Sequence, residues 1–137
     1  MTYTDTERAY LATRSLGRLA TVNPAGVPQV RPVGFVLNTD GTVDIGGPAL
    51  SASLKWRNAE TNPHVAFVVD DMTPDEPGAY RPGWGRGVEI RGRAELLTDH
   101  EPPFAPEFFS NEVLRIHPER VIGWNLEGHG NIARDVR

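Results

Sequence analysis

Glycine and proline cut this chain into short pieces. They number 14 and 12 among 137 residues, about a fifth of the chain against a usual share near 12%, which points to many short elements joined by tight turns and favours β-structure. The runs Asn23-Pro24-Ala25-Gly26 and Asn38-Thr39-Asp40-Gly41 read as hairpin turns. They join three period-two segments, Arg18 to Val22, Gln29 to Leu37 and Thr42 to Ile45. Pro28 and Pro32 lie in or beside the second. Proline donates no backbone hydrogen bond, so both belong at a strand end, an edge or a bulge, where something other than a neighbouring strand can use the free edge.

Two segments have helical character. Thr4-Asp5-Thr6-Glu7 fits a capping box that opens a short helix stopped near Gly17. Ser51 to Glu60 contains no glycine or proline, follows Gly46-Gly47-Pro48 and ends at Asn62-Pro63, and so reads as an inserted helix of two to three turns. A fourth strand, His64 to Val69, is nearly all apolar and is expected to be buried on both faces. After a loop from Asp71 to Gly85 comes a fifth, Gly87 to Leu97, which alternates apolar and charged residues and has a bend or bulge at Gly92. Thr98 to Asn111 is irregular but carries Phe104, Phe108 and Phe109. A sixth strand, Val113 to His117, and a last element, Arg120 to Leu126, stand on either side of Pro118. The expectation is one mainly β domain over residues 1–137, a six- to seven-stranded barrel or sandwich with a short N-terminal helix and one inserted helix.

Composition removes several functions. Fourteen Lys and Arg against eighteen Asp and Glu give a formal charge of −4, which argues against nucleic-acid and anionic-membrane partners. The absence of cysteine removes disulfides, cysteine-ligated zinc, iron–sulfur clusters and thiolate catalysis, and suits a cytoplasmic protein. The longest apolar run is five residues, Val65 to Val69, far short of a membrane span. His64, His100, His117 and His129 are scattered without metal-ligand spacing, so no metal is expected. No serine stands in a nucleophile elbow.

One stretch carries chemistry. In Gly46-Gly47-Pro48-Ala49-Leu50-Ser51-Ala52-Ser53-Leu54-Lys55-Trp56-Arg57, glycines allow close backbone approach and a helix start offers free amides. Ser51 and Ser53 add hydroxyls, and Lys55 and Arg57 add cations where they oppose the helix dipole. A bound phosphate would reverse that penalty; a solvated helix start is the alternative reading. Asp70 and Asp71 fit a solvated turn, and Trp56, Trp84 and Trp124 are core or interface aromatics unless they cover a planar cofactor. A phosphate cradle with aromatic walls but no nucleophile or acid–base pair suits chemistry carried by a bound cofactor.

The order of these pieces resembles the pyridoxamine 5′-phosphate oxidase-like split barrels that bind flavins. Leu16-Gly17-Arg18-Leu19-Ala20-Thr21-Val22, Pro28-Gln29-Val30-Arg31-Pro32-Val33-Gly34-Phe35, Asp44-Ile45-Gly46-Gly47, Asn62-Pro63-His64-Val65-Ala66, Arg86-Gly87-Val88-Glu89-Ile90-Arg91-Gly92 and Ile116-His117-Pro118-Glu119-Arg120-Val121 are similar, more narrowly, to the actinobacterial branch that uses the deazaflavin coenzyme F-420. The resemblance implies a homodimeric split β-barrel with a cofactor in each groove between subunits. Ser53-Leu54-Lys55 matches a Ser-Arg-Lys run that grips the cofactor phosphate; the arginine is missing, and Arg57 could replace it. Arg31-Pro32-Val33-Gly34 matches the strand that edges the ring system, and Gly46-Gly47 the strand end beside the phosphate. Flavin enzymes carry a glutamine where this chain has Gly87, and the oxidases proper carry a Trp- and Arg-bearing tail, departures that speak against a vitamin B6 oxidase.

The implied reaction is hydride transfer from coenzyme F-420 to an activated C=C of a small molecule, the branch including reductases of dehydrotetracycline-type intermediates. An FMN-dependent oxidoreductase and a non-catalytic flavin- or deazaflavin-binding protein are the alternatives. Tyr80, Trp84, Phe104 and Phe108, in the two irregular segments, are the candidate substrate walls. The proton could come from water, Tyr80 or His100, and no residue is assigned as catalytic.

Overall fold

A computed structural model describes residues 2–128 and 131–136; His129 lies outside them. Helix α1 (Asp5–Ala12) begins as its capping box dictates, with the Glu7 amide donating to the Thr4 hydroxyl and the Thr4 amide to the Glu7 carboxylate. The chain then runs through β1 (Leu16–Val22), β2 (Pro28–Leu37) and β3 (Val43–Ile45). Both hairpin turns fall where the Asn-to-Gly runs placed them, closed by Asn23 N–H to Val27 O and Asn38 N–H to Thr42 O. Gly17 does not end the helix. It sits in β1, where a side chain would come within 2.3 Å of the Phe67 ring.

The inserted segment differs from the helix expected from Ser51. A single 3₁₀ turn covers Leu50–Ala52, and α2 (Leu54–Thr61) starts only after Ser53, whose hydroxyl caps it by accepting from the Trp56 amide at 3.3 Å. Next come β4 (His64–Met72), β5 (Gly85–Thr98), β6 (Glu112–Trp124) and β7 (Asn131–Asp135). Strand order is β3-β2-β1-β4-β5-β6-β7, with β3 also paired to β6. Strands β1 to β6 therefore close into a barrel, and β7 extends its wall.

The split lies along β6. One edge pairs with β5 from Glu112 to Trp124, while the other serves β3 at Leu114 to Ile116 and β7 at Arg120 to Trp124. Pro118, expected to separate two elements, stands inside this continuous strand at the changeover, where that edge has no partner among the described residues. Its neighbour across β5 is Gly92, at the register shift between Arg91 and Gly92. A side chain at Gly92 would meet the His117 carbonyl at 2.2 Å, so this bulge admits only glycine without backbone movement.

The core is built from the inward rows, including Leu19, Val33, Phe35, Ile45, Phe67, Val88, Ile90, Leu114 and Ile116. Phe35 and Phe67 meet edge to face at 5.3 Å. β4 is not buried on both faces as expected. Val65, Phe67 and Val69 are buried, whereas Ala66 and Val68 on the outer face are only partly covered. No described helix is long and apolar enough to cross a membrane.

One polar cluster fastens the C-terminal end of α1. Asp71 accepts from the Tyr10 hydroxyl at 2.7 Å, from Arg14 at 3.0 Å and from Arg86 through two bonds at 2.8 and 3.2 Å. The Arg14 and Arg86 guanidiniums lie 5.1 and 5.0 Å from the Tyr10 ring centre. The hydrogen bond from Arg86, then that from Tyr10, hold the Asp71 carboxyl below its usual range, while burial pushes Tyr10 up. A depressed folded-state pKa contributes stability above the unfolded carboxylate value, lost as pH falls through the folded one. Asp71→Asn is accordingly expected to cost about 2 kcal/mol at pH 7, the deficit shrinking in urea titrations as the buffer is taken below about pH 4.

Candidate functional site

The parity of the β1–β2 ladder determines what the open edge of β2 presents. Asn23 N–H to Val27 O and Phe35 N–H to Ser15 O put the odd residues Gln29, Arg31 and Val33 in hydrogen-bonded pairs with β1, so even residues turn their backbone polar groups outward. β3 covers this outer edge only from Phe35 to Leu37. Pro28 and Pro32 are both even and cost the ladder no donor. Between them the edge offers the Val30 N–H and C=O and the carbonyls of the two prolines.

Side chains alternate in the same register. Arg31 belongs to the inward row of Val33 and Phe35, yet it is exposed, because no strand completes the wall at its level. Its charge reaches Lys55, on the first turn of α2. Burial first, and the Arg31 guanidinium second, hold the Lys55 ammonium below its ordinary pKa. Among the described residues neither group forms an ion pair with a carboxylate, nor does Arg57, which donates to the Ala52 carbonyl at 3.1 Å. Two cations thus act on one another, the Lys55 ammonium being partly desolvated and two residues past the Ser53 cap. An anion placed between them would relieve their repulsion and the cost of burying the ammonium. The residues present therefore fit a phosphate-bearing group.

The other sequence candidates divide. Ser51 is engaged internally, its amide donating to Glu112 at 3.1 Å. Gly34 and Gly46 flank the Phe35–Ile45 pair on the outer face. A side chain at Gly34 would approach Phe104 to 2.4 Å, and one at Gly46 would approach Phe109 to 2.9 Å. The two rings meet edge to face at 4.9 Å. Both glycines thus serve as seats for the aromatic strap of residues 99–111, which leaves Phe108 76% exposed. Gly47 accepts the Ser110 amide at 3.1 Å.

Tyr80 and Trp84 do not join this group within one chain. They flank Arg81, whose guanidinium lies 5.5 and 5.0 Å from their ring centres, and the Tyr80 hydroxyl donates to the Gly128 carbonyl. Their segment follows Met72, at the opposite end of β4 from α2. The His100 ring nitrogen Nδ1 lies 2.8 Å from the Glu101 carbonyl. At Gly87, a side chain would meet the Val69 carbonyl at 2.5 Å and the Trp124 ring at 2.7 Å, so a glutamine cannot stand there as this barrel is packed. Among the described residues no three metal-ligating side chains gather. Sequence reasoning missed Ser110 and Glu112, which lie about sixty residues from the turn they bind and carry no motif.

Residues 3–125 match the family description "Pyridoxamine 5′-phosphate oxidase". This chain belongs to that family. Within the family it is 38% identical over 140 residues to the 5a,11a-dehydrotetracycline/5a,11a-dehydrooxytetracycline reductase of Streptomyces rimosus subsp. rimosus, covering 99% of this chain and 94% of that one. A solved structure described as an F420 reductase superposes with a TM-score of 0.62 at 25% identity, covering 87% of this chain and 98% of the other. A FAD-binding protein from Mesorhizobium loti shares the fold, with a TM-score of 0.64 at 20% identity and coverages of 88% and 94%. The fold is thus shared with these structures. Glu112 and the strap lie inside the matched span.

Proposed function

We propose that this chain is a coenzyme F-420-dependent oxidoreductase that reduces an activated C=C of a small molecule, an enone of the dehydrotetracycline type being the first substrate class to test. The observation that carries the reading is the half-buried Lys55 at the Ser53-capped start of α2, within reach of the Arg31 charge on the open edge of β2, with neither cation bound to a carboxylate among the described residues. The Streptomyces rimosus reductase supports the substrate class, and the F420 reductase superposition supports the cofactor.

In this reading Lys55 and Arg31 hold the cofactor phosphate and the Ser53 cap fixes the helix start that presents Lys55. The β2 edge lies against the ring system, where backbone carbonyls and the Val30 N–H select its hydrogen-bonding pattern. Pro28 and Pro32 keep a strand from taking that place. The bound deazaflavin supplies a two-electron hydride donor. The protein's task is then to hold the acceptor carbon in register and keep water away, which suits the aromatic strap with Phe104 and Phe108.

A second copy of the chain completes the groove in this proposal. On the outer sheet face, Arg18, Ala20, Val30, Ala66, Val68 and Glu89 line a depression of about 300 Å³, with Val30 63% and Leu16 52% exposed beside it. The ion pairs Arg18–Asp70 and Glu89–Arg91 rim the depression. Val30→Glu is expected to convert a dimer to monomers in sedimentation velocity while leaving the far-UV spectrum unchanged. A wild-type monomer at micromolar concentration would remove the dimer.

The deciding experiment is spectroscopic. Purified protein is titrated with coenzyme F-420 and with FMN, and the reduced complex is mixed rapidly with enones. Tight binding of the deazaflavin and enone-dependent oxidation faster than buffer are expected. FMN binding alone moves the assignment to a flavin enzyme, a reading favoured by the shared fold of the FAD-binding protein. Binding without oxidation leaves a cofactor-binding protein, and no binding of either ends the proposal.

A further inference from the structure

The end of the aromatic strap is tied to the turn that leads into α2. Ser110 makes two bonds there: its amide donates to the Gly47 carbonyl at 3.1 Å, and its hydroxyl oxygen accepts the Leu50 amide at 3.0 Å. Glu112 adds a carboxylate oxygen 2.7 Å from the Ser110 hydroxyl and 3.1 Å from the Ser51 amide. Its hydrogen bonds to Ser51 and Ser110 hold its carboxyl below the usual range. The Leu50 carbonyl in turn accepts from the Ser53 hydroxyl at 2.6 Å, the group that caps α2. An unbroken chain of hydrogen bonds thus runs from Glu112 through the 3₁₀ turn to the residue that sets where Lys55 begins. At the strap's other contacts, Phe104 and Phe109 rest on Gly34 and Gly46.

We propose that Glu112 is a positioning residue that couples the cationic Lys55–Arg31 site to the aromatic strap, so that seating an anion at the one orders the other. The proposal deepens the reading above and rests on it. Sequence distance gives no hint of the link, because the strap and the turn are joined by side-chain bonds spanning about sixty residues. The physical requirement for coupling is a shared element that both ends bias. The turn of residues 47–53 is that element. It is short, its two strap-facing amides are satisfied by Ser110 and Glu112, and its last residue is the α2 cap.

The test compares wild type with Glu112→Gln and Glu112→Ala. Gln keeps an oxygen for the Ser51 amide and the Ser110 hydroxyl; Ala keeps neither. Coenzyme F-420 affinity is measured by fluorescence, and amide hydrogen exchange is followed in residues 104–110 with and without the coenzyme. In wild type, binding is expected to slow strap exchange at least fivefold. In Glu112→Ala, affinity is expected to fall about fivefold, and the strap is expected to exchange at one rate with or without ligand. Glu112→Gln should restore both to within about twofold. Strap exchange indifferent to the coenzyme in wild type, or still ligand-sensitive in Glu112→Ala, overturns the coupling. Lys55→Ala serves as the separate control. If it leaves coenzyme affinity unchanged, the cationic site itself is misplaced; if it weakens binding while the Glu112 variants behave as wild type, only the coupling fails.

Discussion

Removing Lys55 and Arg31 together, as the double alanine variant, is expected to weaken coenzyme binding by about 3 kcal/mol, roughly two orders of magnitude in the dissociation constant. Charge-assisted bonds to a phosphate are the strong ones, and among the described residues neither donor is paired with a carboxylate. Thermal unfolding should change little, because each substitution relieves a repulsion and breaks no ion pair found among the described residues. The pH dependence has a definite sign. The free protein holds the Lys55 ammonium below its ordinary pKa, and a bound anion would raise it again. Affinity should therefore decline as pH rises through the alkaline range, beginning below the usual lysine value, with proton uptake on binding in that window. Calorimetry in two buffers of different ionisation enthalpy measures the uptake. A double variant that titrates like wild type would place the anion elsewhere.

The second large effect concerns stability. Glu7 is 2% exposed, and its carboxylate is shared between Arg134 on β7 and the amide of its own cap residue. Arg134 also donates to the Thr2 carbonyl at 2.7 Å. Arg134→Ala leaves a buried carboxylate without its cation, a change that typically costs 3–5 kcal/mol. The urea midpoint should fall accordingly. The pair Glu7→Gln with Arg134→Met should cost much less than the two single changes summed, since the penalty comes from the stranded charge. Gly123 lies beneath the same carboxylate, 2.3 Å from where a side chain would begin, so the double variant is best made without altering that position.

Local chemistry in the sequence located what local chemistry controls. The capping box, the two Asn-to-Gly turns and the proline-bearing β2 edge all stand where the residues put them. Pro118 misled because a proline normally ends a strand. Only the register shows that it falls where one edge of β6 has no partner strand among the described residues. β7 was invisible, since Asn131–Asp135 has no apolar row of its own and becomes a strand through its pairing with β6. The half-open outer face of β4 was misread as buried because small apolar residues look alike in a core and on a face awaiting cover. At the site, Ser53 and Lys55 were legible from helix chemistry. Arg31 was expected from family resemblance at the ring system; that its charge reaches Lys55, not adjacent in sequence, was not legible and follows from the closure of the barrel. Gly46 was legible as a close approach and Gly34 only through the resemblance, but what approaches both in this chain is the aromatic strap.

The two prolines of β2 have a further consequence. An unpaired strand edge is ordinarily a template on which a neighbouring chain can add its own backbone, the first step of runaway sheet growth. Here two of the three amides that would welcome such a visitor, at positions 28, 30 and 32, are absent by covalent structure, and no conformational change can restore them. The same edit that, in the proposed reading, reserves the groove for a small molecule therefore protects the protein from polymerising while that groove stands open, and putting threonine at both positions would surrender both benefits at once.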